Sequence, residues 1–190
     1  MNASERRVVD IGGRYGELAF KEALMYPDVQ FFVVDGACDT TYPPERGNLK
    51  FVNQYVEPGR PLPFEDKSIS IVRMNFLLGE MMTFGKRSFS KSEEMSAYRG
   101  VASEAARVLS DTGVLQVAEV QANIPDAMTV FFQVGFYVSV RPMVAPRGLT
   151  YFTDEFYSCF EAQGRPESES AALPIYFEMQ KLCLPGLYGY

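Results

Sequence analysis

The stretch RVVDIGGRYGELAF, Arg7 to Phe20, stands close to the start of a 190-residue chain. Its apolar run contains an acid, Asp10, and passes through Gly12, Gly13 and Gly16 before a helical pattern begins at Glu17. A buried strand that turns through glycines into a helix lets backbone N–H groups approach a ligand beyond the strand's carboxyl end. One residue interrupts this reading. Arg14 lies between the glycines, where a close approach of backbone and ligand favours a residue with no side chain. Its guanidinium has three options: to point outward, to pair with a ligand carboxylate, or to fill the ligand's space. The residues leave all three open. For Asp10, the choice is between a partner for the turn and a ligand group.

Strands and helices alternate outward from this stretch. Tyr26 closes the first helix at Pro27, and QFFVVD (Gln30 to Asp35) reads as a second buried strand. A third spans Asn48 to Val56, and SISIVRMNFLL (Ser68 to Leu78) is a fourth. Ser90 and Glu93 form a capping box. The helix behind it places Met95, Tyr98, Val101, Ala102, Ala105, Val108 and Leu109 on one face. SDTG (Ser110 to Gly113) ends that helix, and VLQVAEV (Val114 to Val120) is a fifth strand. A short helix over Pro125 to Gln133, a sixth strand in GFYVSVRP, a helical stretch at 154–163 and a seventh strand in PIYFEMQKL complete the pattern. Such alternation predicts a mostly parallel sheet with helices on both faces, in a single domain spanning 1–190.

Composition excludes several chemistries. With no histidine, the chain has no Ser-His-Asp triad, no Cys-His pair and no histidine base or metal ligand. Cys38, Cys159 and Cys183 have neither disulfide-framework nor metal-cluster spacing, so no metal is expected. A net charge of -6 and sparse basic clusters (Arg6-Arg7; Lys86, Arg87 and Lys91) argue against nucleic acid as a partner. No apolar run reaches membrane-span length, and MNASERR lacks a signal-peptide core. The expectation is a cytoplasmic protein without membrane contact.

An acid ending the second strand, 25 residues after Asp10, is placed to accept hydrogen bonds from both hydroxyls of a ribose. Asp35 fits that role; the plainer alternative is a strand-end turn aspartate. A dehydrogenase G-x-G-x-x-G would need glycine at 12, 14 and 17, and only Gly12 matches. The segments VVDIGGRYG, FFVVDG, LPFEDKSISIVRMNFLL, EAARVLSDTGVLQVAEV and GFYVSVRP, in this order, resemble the class I S-adenosylmethionine-dependent methyltransferases over nearly the whole chain. The resemblance implies a three-layer Rossmann-like fold whose seven-stranded sheet has its last strand antiparallel. It also implies S-adenosylmethionine as cofactor, held by Asp10, Gly12, Gly13, Arg14, Gly16, Asp35, Gly36, Glu57 and Asn75.

Departures from the family pattern mark what is particular here. Arg14 replaces the middle glycine, Ile69-Ser70 stands where an acid is frequent, and no N-terminal lid helices precede the first strand. The turn Asp111-Thr112-Gly113 keeps turn chemistry before the fifth strand. Only about a dozen residues, two of them Pro43 and Pro44, separate Asp35 from the third strand, too few for a full crossover helix. The flank so exposed predicts a homodimer or a hetero-complex. Asn75 to Phe84 reads as core or as the wall of an acceptor pocket. Glu80 is its single ionisable group and a weak candidate for a general base. Two functions are consistent with these residues: a methyltransferase acting on a small molecule or a protein, and a non-catalytic relative serving as a binding or assembly subunit.

Overall fold

A computed structural model describes residues 6–13, 16–36, 47–56, 59–75, 90–120, 123–144 and 174–182. Its strands are β1 (Arg6–Ile11), β2 (Val29–Asp35), β3 (Leu49–Asn53), β4 (Ile69–Asn75), β5 (Leu109–Val120), β6 (Phe136–Val144) and β7 (Pro174–Lys181). They form one sheet in the order β3-β2-β1-β4-β5-β7-β6. β1 pairs in parallel with β2 and β4, β2 with β3, and β4 with β5; β7 runs antiparallel to β5 and β6. The mixed seven-stranded sheet and its antiparallel last strand agree with the fold expected from sequence.

Three helices are described: α1 (Glu17–Met25), α2 (Lys91–Val108) and α3 (Ile124–Gln133). The capping box that starts α2 is present. Ser90 Oγ accepts from the Glu93 N–H at 3.3 Å, and Glu93 Oε2 accepts from the Ser90 N–H at 2.9 Å. The predicted apolar stripe of α2 lies against the sheet, with Tyr98, Val101, Ala102, Ala105 and Val108 all buried. Together with α3 it covers one face of β1, β4, β5 and β7, where Val9, Ile11, Val72, Met74, Leu115, Val117, Phe177 and Met179 form the larger core. A smaller core lies under α1, from Val8, Phe31, Val33, Leu49, Ala19 and Ala23.

The connection from β3 to β4 is anchored by the end of α2. Arg107 donates to the carbonyls of Leu62 and Phe64, both at 2.9 Å, and pairs with Asp66 at 2.7 Å and Glu104 at 2.8 Å. Glu104 in turn accepts from the Leu62 N–H at 2.8 Å. This fixes Leu62 and Phe64 at the core, and the Phe64 ring meets Phe32 edge-on with centroids 5.2 Å apart.

The third strand ends at Asn53 rather than Val56, and the largest difference from the sequence reading is at the fifth. SDTG does not sit between α2 and the fifth strand as a turn; it belongs to β5, which starts at Leu109. Ile69 pairs with Leu109 but Ile71 pairs with Val114, so the strand bulges by three residues over Ser110 to Gly113. The acid in this bulge is tied down outside the sheet, Asp111 pairing with Lys67 at 3.0 Å. The Phe76–Leu78 end of the fourth strand, the helix expected at 154–163 and the proline-containing crossover at 37–46 lie outside the described residues. Among the described residues, no helix is long and apolar enough to cross a membrane.

Candidate functional site

The strand order reverses between β1 and β4, so their carboxyl ends flank a crevice of the kind in which open α/β sheets bind ligands. The glycine turn sits there. Gly12 donates its N–H to the Val34 carbonyl at 2.8 Å, which draws the turn onto the end of β2. Gly16 donates to the Gly13 carbonyl at 2.8 Å and caps α1 with φ +67°, in the left-handed region. A Cβ at Gly16 would also stand 2.7 Å from the Phe51 ring, so glycine is required there twice over. At Gly13 an added Cβ would lie 3.0 Å from Asp10 Cγ and from Val33 Cγ1. The turn is therefore packed directly upon the Asp10 carboxyl group.

Asp10 is 3% exposed, and its Oδ1 has no hydrogen-bond partner among the described residues. Burial pushes its pKa up to about 6; the Arg73 guanidinium opposes this, while Glu22 and Asp35 add to it. A buried carboxylate oxygen without a partner is costly in a resting protein and marks a place where a donor or cation is expected.

Beside Asp10 runs a row of polar residues that sequence reasoning missed. The register sets Asp10 against Arg73, Arg73 against Gln116, and Gln116 against Glu178, one residue from each of β1, β4, β5 and β7. Arg73 makes a two-pronged pair with Glu22 of α1, at 2.9 and 3.1 Å. Burial by itself would lower the Arg73 pKa; the field of Asp10 and the Glu22 bond outweigh it, and the net shift is upward. Gln116 donates to Glu178 at 3.1 Å, and Glu178 also accepts from the Tyr176 hydroxyl. The Tyr176 pKa is raised, first by burial and then by this bond and the charge of Glu178. Both teeth of Arg73 are engaged by Glu22, so its effect on Asp10 is electrostatic. The signal in the sequence was the arginine inside SISIVRMNFLL, at a position that alternation assigns to one sheet face.

The carboxyl edge gathers further residues. Register places Asp35 level with Gly12, since Ile11 pairs with Val34. Asn75 follows the Ile11–Met74 pair on the other side and is buried. Asp10, Gly12, Gly13, Gly16, Asp35, Gly36 and Asn75 thus share one end of the sheet around the β1–β4 crevice. Arg14, Glu57 and Glu80 lie outside the described residues. Glu119, which was not singled out, is the last residue but one of β5 and follows Ala118, the partner of Asn75. It is 1% exposed and accepts from Asn123 Nδ2 at 3.2 Å. An acid closing the apolar run VLQVAEV is the same signal that identified Asp35. Among the described residues, no group of three or more Cys, Asp or Glu is arranged to hold a metal ion.

No protein-family model matches the chain, and no curated protein matches its sequence. Solved structures do match. The complex between the Haloferax volcanii Trm112 methyltransferase activator and a candidate methyltransferase aligns over 94% of this chain and 82% of that one, with TM-score 0.58 and 14% identity. The fold is that of the class I methyltransferases. Geranyl diphosphate methyltransferase in complex with GPP and sinefungin shares it at TM-score 0.59 and 10% identity, over 94% of this chain and 73% of that one. So does the 16S rRNA (adenine(1408)-N(1))-methyltransferase W203A mutant with cosubstrate SAM, from Catenulisporales acidiphilia, at TM-score 0.55 and 14% identity, over 95% and 87%. The exclusion of nucleic acid drawn from net charge finds no support in this set, which contains a protein named for 16S rRNA.

Proposed function

We propose that this chain binds S-adenosylmethionine in the β1–β4 crevice and transfers its methyl group to a small molecule or a protein. The observation that carries the reading is the buried, unpartnered Oδ1 of Asp10 under a turn that glycine keeps narrow. Around that atom the described charges are three carboxylates, Asp10, Glu22 and Asp35, against one guanidinium, Arg73. Such a balance favours a cationic ligand, and the residues present fit one. When bound, the cofactor supplies a methyl group on a positively charged sulfur.

The chain's own work in this reading is positioning, which is the larger part of what methyl transfer to a lone pair requires. The glycine turn, with its Gly12 and Gly16 N–H groups bonded to the Val34 and Gly13 carbonyls, lets bare backbone come close to the ligand. Asp10 offers an acceptor to its ammonium end, and Asp35 accepts from the ribose hydroxyls. Asn75 and Glu119 lie near the carboxyl ends of β4 and β5, the edge of the sheet at which an acceptor molecule would enter. The activator complex among the structural neighbours supports a protein partner here too, either a second copy or a different subunit.

Calorimetric titration with S-adenosylmethionine and S-adenosylhomocysteine tests the reading. Wild-type protein is expected to bind both. Asp35→Ala is expected to weaken binding by about 1.5–3 kcal/mol, the loss of charge-assisted hydrogen bonds, while the thermal midpoint holds. Unchanged affinity in that variant, or no binding by the wild type, would sink the assignment. Binding without methyl transfer to any acceptor class would mark the non-catalytic alternative.

A further inference from the structure

The Glu22–Arg73 pair ties α1 to β4, and that tie does not account for where it stands. Arg73 is the register partner of Asp10 on the adjacent strand. Neighbouring strands run about 5 Å apart, so an arginine at this position is within reach of the Asp10 carboxylate. It bonds elsewhere. Its two terminal nitrogens donate to Glu22 at 2.9 and 3.1 Å, and its Nε is turned to Gln116 Oε1 at 3.5 Å. Asp10 Oδ1 stays buried without a partner among the described residues. We infer that Arg73 is a positioning residue for ligand binding: Glu22 holds its fork off Asp10, so that Asp10 receives the field of a cation and keeps an oxygen free for the cationic end of the ligand. This role rests on the reading of the crevice as an S-adenosylmethionine site.

The charged groups acting on Asp10 are Arg73 from β4, Glu22 from α1 and Asp35 from β2. Burial is the largest influence and disfavours the ionised form. Arg73 favours that form, while Glu22 and Asp35 oppose it, and the carboxyl is poised at about pH 6. The pair is partly withdrawn from solvent, with side-chain exposures of 11% for Arg73 and 21% for Glu22, so water screens it little. Gln116 steadies the other side: its Nε2 donates to Glu178 at 3.1 Å, which leaves its Oε1 facing Arg73. A direct Arg73–Asp10 bond would occupy the oxygen that the ligand needs. No cation at all would leave the carboxyl protonated over a wider pH range. A fork committed to Glu22 avoids both. An ammonium group bonds to the ionised carboxylate, so binding below the titration point displaces a proton from Asp10.

Calorimetric titration with S-adenosylhomocysteine across the pH range on either side of this point tests the role. Wild-type affinity is expected to level off above about pH 6 and to fall about tenfold for each pH unit below it. The two partners of the one ion pair are expected to move this break in opposite directions. Arg73→Met removes the favourable charge and moves it up by about one pH unit or more. Glu22→Gln removes an opposing charge and moves it down. Arg73→Lys keeps the charge and holds the break near its wild-type place, and Asp10→Asn abolishes it. A pair that served only to tie α1 to β4 would cost stability in both variants and leave the break unmoved. That result overturns the inference, as does a shift of both variants in the same direction or a break that persists in Asp10→Asn. Should Arg73→Met fold poorly, an unmoved break in Glu22→Gln overturns it alone. In each of these cases the wild type still binds and the S-adenosylmethionine site stands. No binding by the wild type at any pH sinks both readings.

Discussion

The two faces of the central strands are built from opposite chemistries. On the face covered by α2 and α3, Val9, Ile11, Val72, Met74, Leu115, Phe177 and Met179 are each 0% exposed and pack in one continuous core. On the other face the same strands present Asp10, Arg73, Gln116 and Glu178 in a single cross-strand row. One residue step along each strand separates the two sets. The closed face contributes stability by excluding water. The polar face commits its charges to one another and to Glu22, and beside the glycine turn Asp10 Oδ1 is left unmatched among the described residues. Continuous apolar packing and cross-strand charge pairing are thus divided between the two sides of these strands.

The strongest way to break the closed face is Phe177→Ala. Phe177 lies on the central antiparallel strand with no exposure, and removing its ring leaves a cavity that rigid neighbouring strands cannot fill. A loss of about 3–5 kcal/mol is expected in chemical denaturation. A cost under 1 kcal/mol would mean that this face is far softer than its burial indicates.

Arg73→Met attacks the polar face. It leaves Glu22 and Asp10 without their cation, but Glu22 keeps 21% side-chain exposure and can recover some hydration. We expect a loss of about 2–3 kcal/mol, below the range for breaking a fully buried pair. Adding Glu22→Gln should restore part of it, because the stranded charge is then gone. A double variant no more stable than Arg73→Met would show that the pair is not the source of the effect.

Asp10→Asn sharpens the comparison with the opposite sign. The Asp10 pKa is raised in the folded protein from an ordinary 3.8 to about 6. Below the lower value both folded and unfolded chains hold the proton, and the group has no effect on stability. As pH rises from there to about 6, the unfolded chain loses the proton first, so stability falls. Above about 6 the full penalty of a buried charge applies. Asp10→Asn is therefore expected to stabilise the ligand-free protein by up to roughly 3 kcal/mol at pH 7 and to match the wild type near pH 3.5. Thermal melts across that pH range check both ends. Equal midpoints at pH 7 would refute the account of Asp10 as a strained, ligand-facing carboxylate.

Several elements were legible in the residues themselves. Phe31 to Val34 is apolar without interruption, as suits a strand covered on both sides, and β2 occupies Val29–Asp35. Ser90 and Glu93 announced the start of α2, because a capping box is a local device that needs no distant partner. SDTG was misread for the converse reason. Its residues carry turn chemistry, but pairing of Ile71 with Val114 and of Asp111 with Lys67 holds them in a bulged strand. Tertiary pairing outweighed local preference.

What the sequence by itself determined is the order of elements, the narrow glycine turn and the acids Asp10 and Asp35 near the ends of β1 and β2. Each follows from periodicity or backbone conformation within a few residues. Only the tertiary structure decided which polar groups meet. Asp10 and Glu178 stand 168 positions apart, and strand register brings them into one row with Arg73 and Gln116, which Glu22 joins from α1. A ring contact depends on it too: the Tyr55 ring fills the space where a Cβ on Gly36 would stand, 2.2 Å from Cδ1, because β3 lies beside β2. Charge pairing and ring contact act over a few ångströms in space, and a linear pattern carries no record of distances between strands that are far apart along it.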